Sequence, residues 1–216
     1  MASDFERSLR DALAGYRPAR VKVRGARDAA VLIPVLEQPE PAILFTVRTD
    51  TVRSHKGQIS FPGGSIDAGD PSAEAAALRE AHEEVGLEPS AVDVLGELDT
   101  TPTFVSGFVI SPFVGLLRGR PQLRPNPAEV AEVLEVPLAD LNDEIRAEPG
   151  FAHAGRTYPT EAWIWRDYVI WGVTARLIRL FLGVLAASGL VPAPSETKSW
   201  TATGRLGERP GTGWPA

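Results

Sequence analysis

The sequence has 216 residues, with 22 Lys and Arg against 28 Asp and Glu, no Cys and a formal net charge of −6 at pH 7. A chain of this length forms one globular domain. The lack of Cys excludes disulfides, thiolate zinc sites and cysteine nucleophiles, and the acidic balance argues against nucleic acid as a partner. No apolar run approaches the roughly 20 residues of a membrane span, and acidic residues stand where a signal peptide needs basic ones. We therefore expect a cytoplasmic protein that does not bind membranes.

The first part of the chain predicts a helix and a pair of strands. Ser3 and Glu6 have the spacing of a capping box, and the apolar residues that follow recur at helical intervals. This pattern predicts a helix over residues 3–15. Two short apolar runs, over residues 28–36 and 41–48, are separated by prolines and predict two paired strands.

A second helix is predicted after a Gly-rich loop. Asp70 and Pro71 have the residue types of a helix start, and Gly86 has that of a helix end, so we predict a helix from Asp70 to Val85. Residues 171–187 predict a third helix that is apolar on nearly all sides, which indicates burial against a sheet.

Further strands are predicted over residues 92–99, 107–117, 130–136 and 162–170. From Gly189 onward the chain loses its periodicity and becomes rich in Pro and Gly. We therefore expect a folded domain over residues 1–188 and a flexible tail over residues 189–216.

The second predicted helix carries several carboxylates at helical spacing. Glu80, Glu83 and Glu84 lie three and four residues apart and share one helix face. They repel one another, and Arg79, the i,i+4 partner of Glu83, cannot neutralise all of them. Oxygen ligands of this kind suit Mg²⁺ or Mn²⁺, and the preceding glycines let the backbone approach an ion. The alternative is an ordinary solvated helix face, because charged residues usually lie on the surface.

The stretch around this helix resembles the Nudix box, which reads Gly, five residues, Glu, seven residues, then Arg-Glu-aliphatic-x-Glu-Glu-x-Gly-aliphatic. Residues 79–87 match the second half in full. In the first half, Asp70 stands for the Glu, and one extra residue separates it from Arg79. The resemblance implies an α/β fold, the Nudix α/β/α sandwich with a mixed β-sheet between helices. The box would form a loop-helix-loop over residues 64–87.

The resemblance also implies the chemistry, which is hydrolysis of a nucleoside diphosphate linked to another moiety. The implied metal ligands are Glu80, Glu83, Glu84 and the backbone carbonyl near Gly64. Glu80 would also orient water or act as the base, and Arg79 would hold the carboxylates in place. A divalent ion bridges diphosphate oxygens and lowers the pKa of a bound water, which agrees with this reaction.

A pattern upstream of the box resembles the signature of the coenzyme A pyrophosphatases within the Nudix family. It comprises residues 44–49, Arg53, Gly57 and the segment Phe61-Pro62-Gly63-Gly64. Residues 170–175 also resemble that branch, so the similar stretches span residues 29 to 187. Coenzyme A carries a diphosphate and a 3′-phosphate, which call for cations. The candidate substrate-binding residues are Arg48, Arg53, Lys56, Gly63 and Gly64, with His55 as a further cation. The alternative is that Arg48 and Arg53 pair with local acids on the surface.

Many Nudix enzymes place an additional metal ligand or base on a distant loop. Glu129 and Glu132 are the candidates here, and we favour Glu129. His82 lies at a variable position of the box and is expected to be structural or exposed. Alternating aromatics such as Trp163 and Trp165 are more often core residues than site residues.

The resulting hypothesis is a Mg²⁺- or Mn²⁺-dependent diphosphatase of coenzyme A or its thioesters. The products would be 3′,5′-ADP and (acyl) 4′-phosphopantetheine, with Glu80 or Glu129 accepting the proton of the attacking water. The same chemistry on NADH or ADP-ribose is one alternative, and a non-catalytic nucleotide-binding sensor is another. Self-association to a homodimer is compatible with the sequence, which does not decide it.

Overall fold

The computed structural model describes residues 3–37, 40–49, 57–103, 106–147, 151–153, 156–158 and 160–195. Within these ranges the helices are α1 (Asp4–Gly15), α2 (Ala73–Val85) and α3 (Gly172–Ala187). The strands are β1 (Arg27–Leu36), β2 (Ala42–Arg48), β3 (Ile59–Ser60), β4 (Gly63–Ser65), β5 (Val92–Glu97), β6 (Thr101–Pro102), β7 (Phe108–Leu117), β8 (Val130–Pro137), β9 (Arg146–Ala147), β10 (Phe151–His153), β11 (Arg156–Tyr158), β12 (Ala162–Trp165) and β13 (Tyr168–Trp171). Short 3-10 helices span Pro89–Ala91 and Leu138–Asp140.

A mixed sheet forms the centre of the fold. In the described part of the chain its main path is β3-β2-β1-β7-β5, while β4 pairs with β1, β6 with β7 and β8 with β2. Strands β1 and β7 run parallel, and the other pairs in this sheet are antiparallel. The predicted pairing of the first two apolar runs is confirmed, since Val35 lies opposite Ile43.

Strand β1 is buried on both faces because helices cover both sides of the sheet. Ala30 and Leu32 pack in the cluster that contains α2, whereas Val31 and Ile33 pack in the cluster that contains α1 and α3. This alternation follows from the two-residue period of a strand. The predicted α/β/α sandwich is confirmed. Helix α2 contributes Ala76, Ala77, Ala81 and Val85, and the opposite layer contributes Leu9, Leu13, Leu177, Ile178 and Phe181.

Helix α1 begins as the capping box predicts and is anchored at its end. The Ser3 hydroxyl accepts the Glu6 N–H at 3.0 Å. The apolar side of α1 packs on β5 and α3, with Leu9 and Leu13 buried. Beyond the helix, the Tyr16 hydroxyl donates to Asp99 at 2.8 Å. These contacts hold α1 against β5 and α3.

The start of α2 differs from the sequence prediction. Ser72, not Asp70, caps the helix, and its hydroxyl accepts the Ala75 N–H at 3.1 Å. The predicted end is confirmed, because Gly86 adopts a left-handed conformation with φ of 67°. Its N–H donates to His82 O at 2.9 Å. The prediction placed the cap two residues too early. The Asp70 carboxylate instead accepts hydrogen bonds from Arg79 and from the Asp67 N–H.

The predicted strand over residues 162–170 is wrong, because the segment forms a hairpin of β12 and β13. Trp165 pairs with Tyr168, and Arg166 in the turn has φ of 53°. Neither turn residue is Gly or Asn, so the sequence lacked the usual hairpin signal. Trp163 is fully buried and its indole N–H donates to Ala175 O at 3.2 Å, which confirms its role in the core.

The packed part of the chain continues beyond α3. Leu190 and Val191 pack on the core, and the Ser195 N–H donates to Asp143 at 2.9 Å. The ordered contacts therefore extend past residue 188 to Ser195. Within the described part of the chain, none of the helices has the length and apolarity that a membrane-spanning segment needs.

Candidate active site

The last turns of α2 place its carboxylates in three different environments. The exposed fraction of the side chain is 18% for Glu80, 54% for Glu83 and 4% for Glu84. The three carboxylates that share this face are therefore not equivalent, because Glu84 is buried and Glu83 lies at the surface. A solvated helix face, the alternative interpretation, does not describe Glu84.

Glu84 is a buried acid at the junction of α2, β2 and β4. The Gly63 N–H donates to its Oε2 at 3.4 Å, and Arg48 Nη1 lies 3.8 Å from its Oε1. Burial raises the pKa of Glu84 to about 7, against the opposing effect of Arg48. The nearby charges of Glu80 and Glu129 raise this pKa further.

Glu80 lies directly against the backbone of Gly64. A Cβ atom on Gly64 would be 2.6 Å from the Glu80 carboxylate carbon, so a larger residue would displace this acid. Gly63 is equally constrained, because a Cβ there would be 2.4 Å from Ala30 O. Burial raises the pKa of Glu80, while its bond to Arg79 lowers it. Gly64 thus lets β4 approach Glu80 on α2, and Gly63 lets β4 approach β1.

Arg79 connects the carboxylates of the box. Its Nε and Nη2 donate to the two Asp70 oxygens at 2.9 and 3.0 Å. Its Nη1 donates to Glu80 at 2.9 Å and to Glu83 at 3.0 Å. The two bonds to Asp70 lower the pKa of its carboxyl group and fix the guanidinium in one orientation. The structure therefore gives Asp70 a role that the sequence left open, which is to anchor Arg79.

The loop before β8 brings Glu129 to the site. The Arg124 N–H donates to Val85 O at 2.7 Å and the Asn126 N–H donates to Glu84 O at 2.8 Å. These bonds satisfy carbonyls at the end of α2, which have no partner within the helix. Glu129 lies near enough that its charge raises the pKa of Glu80 and Glu84. Glu132 is exposed and accepts the Tyr168 hydroxyl at 2.7 Å, so it faces another part of the surface.

Arg48 ends β2 and points toward the carboxylates. Besides its ion pair with Glu84, its buried Nε has no hydrogen-bond partner within the described residues. Arg53, His55 and Lys56 lie outside the described residues. His82 is exposed, with its Nδ1 3.7 Å from Glu88 Oε1.

A cavity of about 1570 Å³ opens beside the site. Arg48, Gly63 and Gly64 line one part of it, and residues of α1 and α3 line the rest. Sequence reasoning missed this cavity, because its walls come from opposite ends of the chain.

As the side chains stand, no three carboxylate or histidine groups in the described ranges converge closely enough to hold a metal ion. Arg79 donates hydrogen bonds to Glu80 and Glu83, whereas Glu84 is held by the Gly63 N–H and by its ion pair with Arg48. These separate contacts keep the three carboxylates from converging. The donor set nevertheless suits a hard cation, since it consists of carboxylate oxygens around a buried acid.

The burial of Glu84 predicts that the metal-free protein loses stability as the pH rises. Its folded-state pKa of about 7 lies above the ordinary value of 4.5. Between these values the folded protein holds a proton that the unfolded chain releases, so the free energy of unfolding falls with pH. The loss is on the order of 3 kcal/mol across this window. Urea denaturation in EDTA at several pH values measures it.

The matched control for this prediction is Glu84→Gln, which removes the titrating group at nearly constant volume. Its free energy of unfolding is expected to change less with pH than that of the wild type. Parallel pH profiles for the two proteins would contradict the raised pKa.

Comparisons with known proteins all indicate the same family. The model of the NUDIX domain matches residues 26–158, more than half of the chain. A curated relative from Cronobacter sakazakii, named Uncharacterized Nudix hydrolase NudL, is 44% identical over 155 residues, covering 71% of this chain and 80% of the relative. The protein of the same name from Escherichia coli strain K12 is 40% identical over 164 residues, with the same two coverages of 71% and 80%.

Among solved structures, a MutT/nudix family protein from Enterococcus faecalis is similar in fold. It superposes with a TM-score of 0.53 over 87% of this chain and 76% of that one, at 13% sequence identity. At this identity the similarity supports the fold alone.

Proposed function

Because this chain belongs to the Nudix family of hydrolases, we propose that it cleaves the diphosphate of coenzyme A or of its thioesters. The products are 3′,5′-ADP and (acyl) 4′-phosphopantetheine, and the reaction requires Mg²⁺ or Mn²⁺. Family membership supplies the reaction class. The choice of substrate is supported by the residues upstream of the box.

The observation that carries the proposal is the position of Arg48. It belongs to the stretch that resembles the coenzyme A pyrophosphatases, and it lies in the cavity wall 3.8 Å from the buried Glu84. Its buried Nε lacks a hydrogen-bond partner within the described residues. A phosphate oxygen would satisfy this donor, since guanidinium groups bind phosphate with charge-assisted bonds. Arg48 is thus suited to hold the diphosphate beside the carboxylates.

The proposed metal ligands are Glu80, Glu83, Glu84 and the carbonyl of Gly64. Glu80 and Glu83 each use one carboxylate oxygen for Arg79, which Asp70 keeps in place, and would offer the other oxygen to the ion. When bound, a divalent ion neutralises charge on the diphosphate and makes water more acidic. Glu80 or Glu129 accepts the proton of the attacking water, because burial raises the pKa of Glu80 and Glu129 lies close by.

The 3′-phosphate distinguishes coenzyme A from NADH and ADP-ribose. We assign its recognition to Arg53 and Lys56, which follow Arg48 in the chain. The proposal therefore requires that removal of the 3′-phosphate weakens turnover.

Product analysis tests the proposal. The purified protein is incubated with coenzyme A, 3′-dephospho-coenzyme A, NADH and ADP-ribose, each with Mg²⁺, Mn²⁺ or EDTA, and the products are identified by mass. We expect 3′,5′-ADP from coenzyme A, at least about tenfold slower cleavage of the dephospho form, and no cleavage in EDTA.

Each of the other results would contradict a different part of the proposal. Equal rates for coenzyme A and its dephospho form would contradict the roles of Arg53 and Lys56. Cleavage of NADH or ADP-ribose without cleavage of coenzyme A would retain the Nudix chemistry and overturn the substrate. Binding without metal-dependent cleavage of any of them would favour the nucleotide-binding sensor.

A further inference from the structure

Two arginines meet where β6 turns into β7. Arg176 Nη1 donates to the carbonyl of Pro102, the last residue of β6, at 3.0 Å. The guanidinium carbon of Arg27 lies 4.1 Å from the centre of the ring of Phe108, the first residue of β7. Pro102 pairs with Val109, the neighbour of Phe108. Both guanidinium groups therefore rest on adjacent rungs of one strand pair, and we call Arg27 and Arg176 the arginine pair.

The arginine pair lies on the side of the sheet that α1 and α3 cover. On β1, Ala29 and Val31 pack in the cluster that contains these helices. Arg27 precedes Ala29 by two residues, so its side chain shares their face of the strand. Phe108 packs against the same cluster, and Arg176 belongs to α3 itself. The two side chains are therefore on one face, although they come from opposite ends of the chain.

The register of β1 relates the arginine pair to the candidate active site. Val31 lies opposite Gly63 of β4, and Arg27 lies opposite Phe108 of β7. Four residues of strand separate Arg27 from Val31, which is about 13 Å. This separation is larger than a diphosphate group and comparable to a nucleotide. Because Gly63, Phe108 and Arg176 line the same cavity, a ligand held beside Gly63 could present a second charged group to the arginine pair.

Positive charge exceeds negative charge around the pair. Among the residues that the structure describes, Arg27 takes part in no ion pair, and its guanidinium stacks on an aromatic ring instead. Burial lowers the pKa of Arg176, while the nearby charge of Glu161 raises it. Glu161 is also ion-paired with Arg146 and lies 3.8 Å from Arg179 Nε. Three guanidinium groups thus act on one carboxylate, and a bound anion would compensate the excess charge.

A phosphate monoester matches this arrangement. A guanidinium that stacks on an aromatic ring keeps its N–H donors at its edge, where they can bind an anion. Two such groups suit the double charge and the several oxygens of a phosphate monoester. In coenzyme A the ribose separates the 3′-phosphate from the diphosphate. A subsite for it must therefore lie apart from Glu84 and within the same cavity.

We propose that Arg27 and Arg176 form a second anion subsite, which binds the 3′-phosphate of the substrate and determines specificity for it. The inference rests on the proposed function and adds two residues to Arg53 and Lys56. Neither residue belongs to the box or to the pattern upstream of it. Phe108 orients Arg27, and the Pro102 carbonyl orients Arg176.

Kinetics with and without the 3′-phosphate test the inference. We compare coenzyme A and 3′-dephospho-coenzyme A in the wild type and in Arg27→Gln, Arg176→Gln and Arg118→Gln. Arg118 is exposed and does not line the cavity, so it is the matched control. Arg27→Gln and Arg176→Gln are each expected to lower kcat/KM for coenzyme A at least about tenfold, through KM, with less than about a twofold change for the dephospho form. Arg118→Gln is expected to retain the wild-type ratio.

Binding of a product gives a readout that does not depend on turnover. The affinities of 3′,5′-ADP and AMP are measured by calorimetry in EDTA. The wild type and Arg118→Gln are expected to bind 3′,5′-ADP more tightly than AMP, and Arg27→Gln and Arg176→Gln are expected to lose most of this difference. Arg27 is exposed, so Arg27→Gln decides the question if Arg176→Gln does not fold.

The results that overturn the inference differ from those that overturn the proposed function. Wild-type preference for the 3′-phosphate in folded Arg27→Gln and Arg176→Gln would overturn the inference and leave the proposed function intact. Equal losses for both substrates would also overturn it, because the arginines would then hold a part that the substrates share. A wild type that cleaves neither substrate would overturn the proposed function itself, and the inference with it.

Discussion

Glu84→Gln is expected to lower kcat on the order of a thousandfold while the protein remains folded. Glu84 is the most buried carboxylate of α2, and an amide of the same shape cannot supply the negative charge that a divalent ion requires. The variant should remain folded, because the substitution removes a buried carboxyl group whose pKa is already raised to about 7. Steady-state kinetics on the substrate identified by product analysis, with circular dichroism for the fold, gives the measurement.

The control for this variant is Glu74→Gln on the same helix. Glu74 is exposed in the first turn of α2, so its replacement should leave kcat unchanged. Glu83→Gln is expected to reduce kcat in the same direction as Glu84→Gln. Titrating the activity of each variant with Mn²⁺ separates a loss of metal binding from a loss in the later steps. Full activity of Glu84→Gln would contradict the metal-ligand assignment, whatever its effect on stability.

Arg79→Met is expected to reduce both stability and activity. The change leaves the Asp70 carboxylate, with a side chain 7% exposed, without the cation that binds both its oxygens. The loss of this pair should lower the free energy of unfolding and the melting temperature, by less than for a fully buried pair because Arg79 is 28% exposed. Activity should fall at least about a hundredfold, because Glu80 and Glu83 lose their common partner.

Three further variants separate the contributions at this position. Arg79→Lys keeps the charge but loses the two-point bond, so its stability should lie between those of wild type and Arg79→Met. Adding Asp70→Asn to Arg79→Met removes the unpaired charge and should recover part of the melting temperature. Arg7→Met is the surface control, because Arg7 pairs with an Asp4 whose side chain is 96% exposed. If Arg79→Met melts at the wild-type temperature, Asp70 is not its anchor.

The anchoring of Arg79 also explains the departure in the first half of the box. Asp70 stands where the usual pattern has Glu, and its neighbour Ser72 supplies the helix cap. Despite the extra residue before Arg79, the Asp70 carboxylate still reaches the guanidinium. The Asp67 N–H donates to Asp70 at 2.8 Å and fixes that reach.

Local patterns in the sequence were sufficient for α1, for the end of α2 and for the first strand pair, but not for the start of α2 or for the β12–β13 hairpin. Ser3 and Gly86 mark helix ends through bonds to residues within four positions, and β1 reads as apolar because it is buried on both faces. The spacing of Glu80, Glu83 and Glu84 likewise depends only on the helical period. Such features involve neighbours in the chain, so they can be read before the fold is known.

The tertiary structure decided what depends on distant residues. The environment of the buried Glu84 depends on its contacts with Arg48 and Gly63. The position of Glu129 near the carboxylates depends on a loop that bonds to the end of α2. The cavity depends on α1 and α3, which lie near opposite ends of the chain. Burial and the pKa shifts that it causes are properties of packing, and packing is determined only when these separate segments meet.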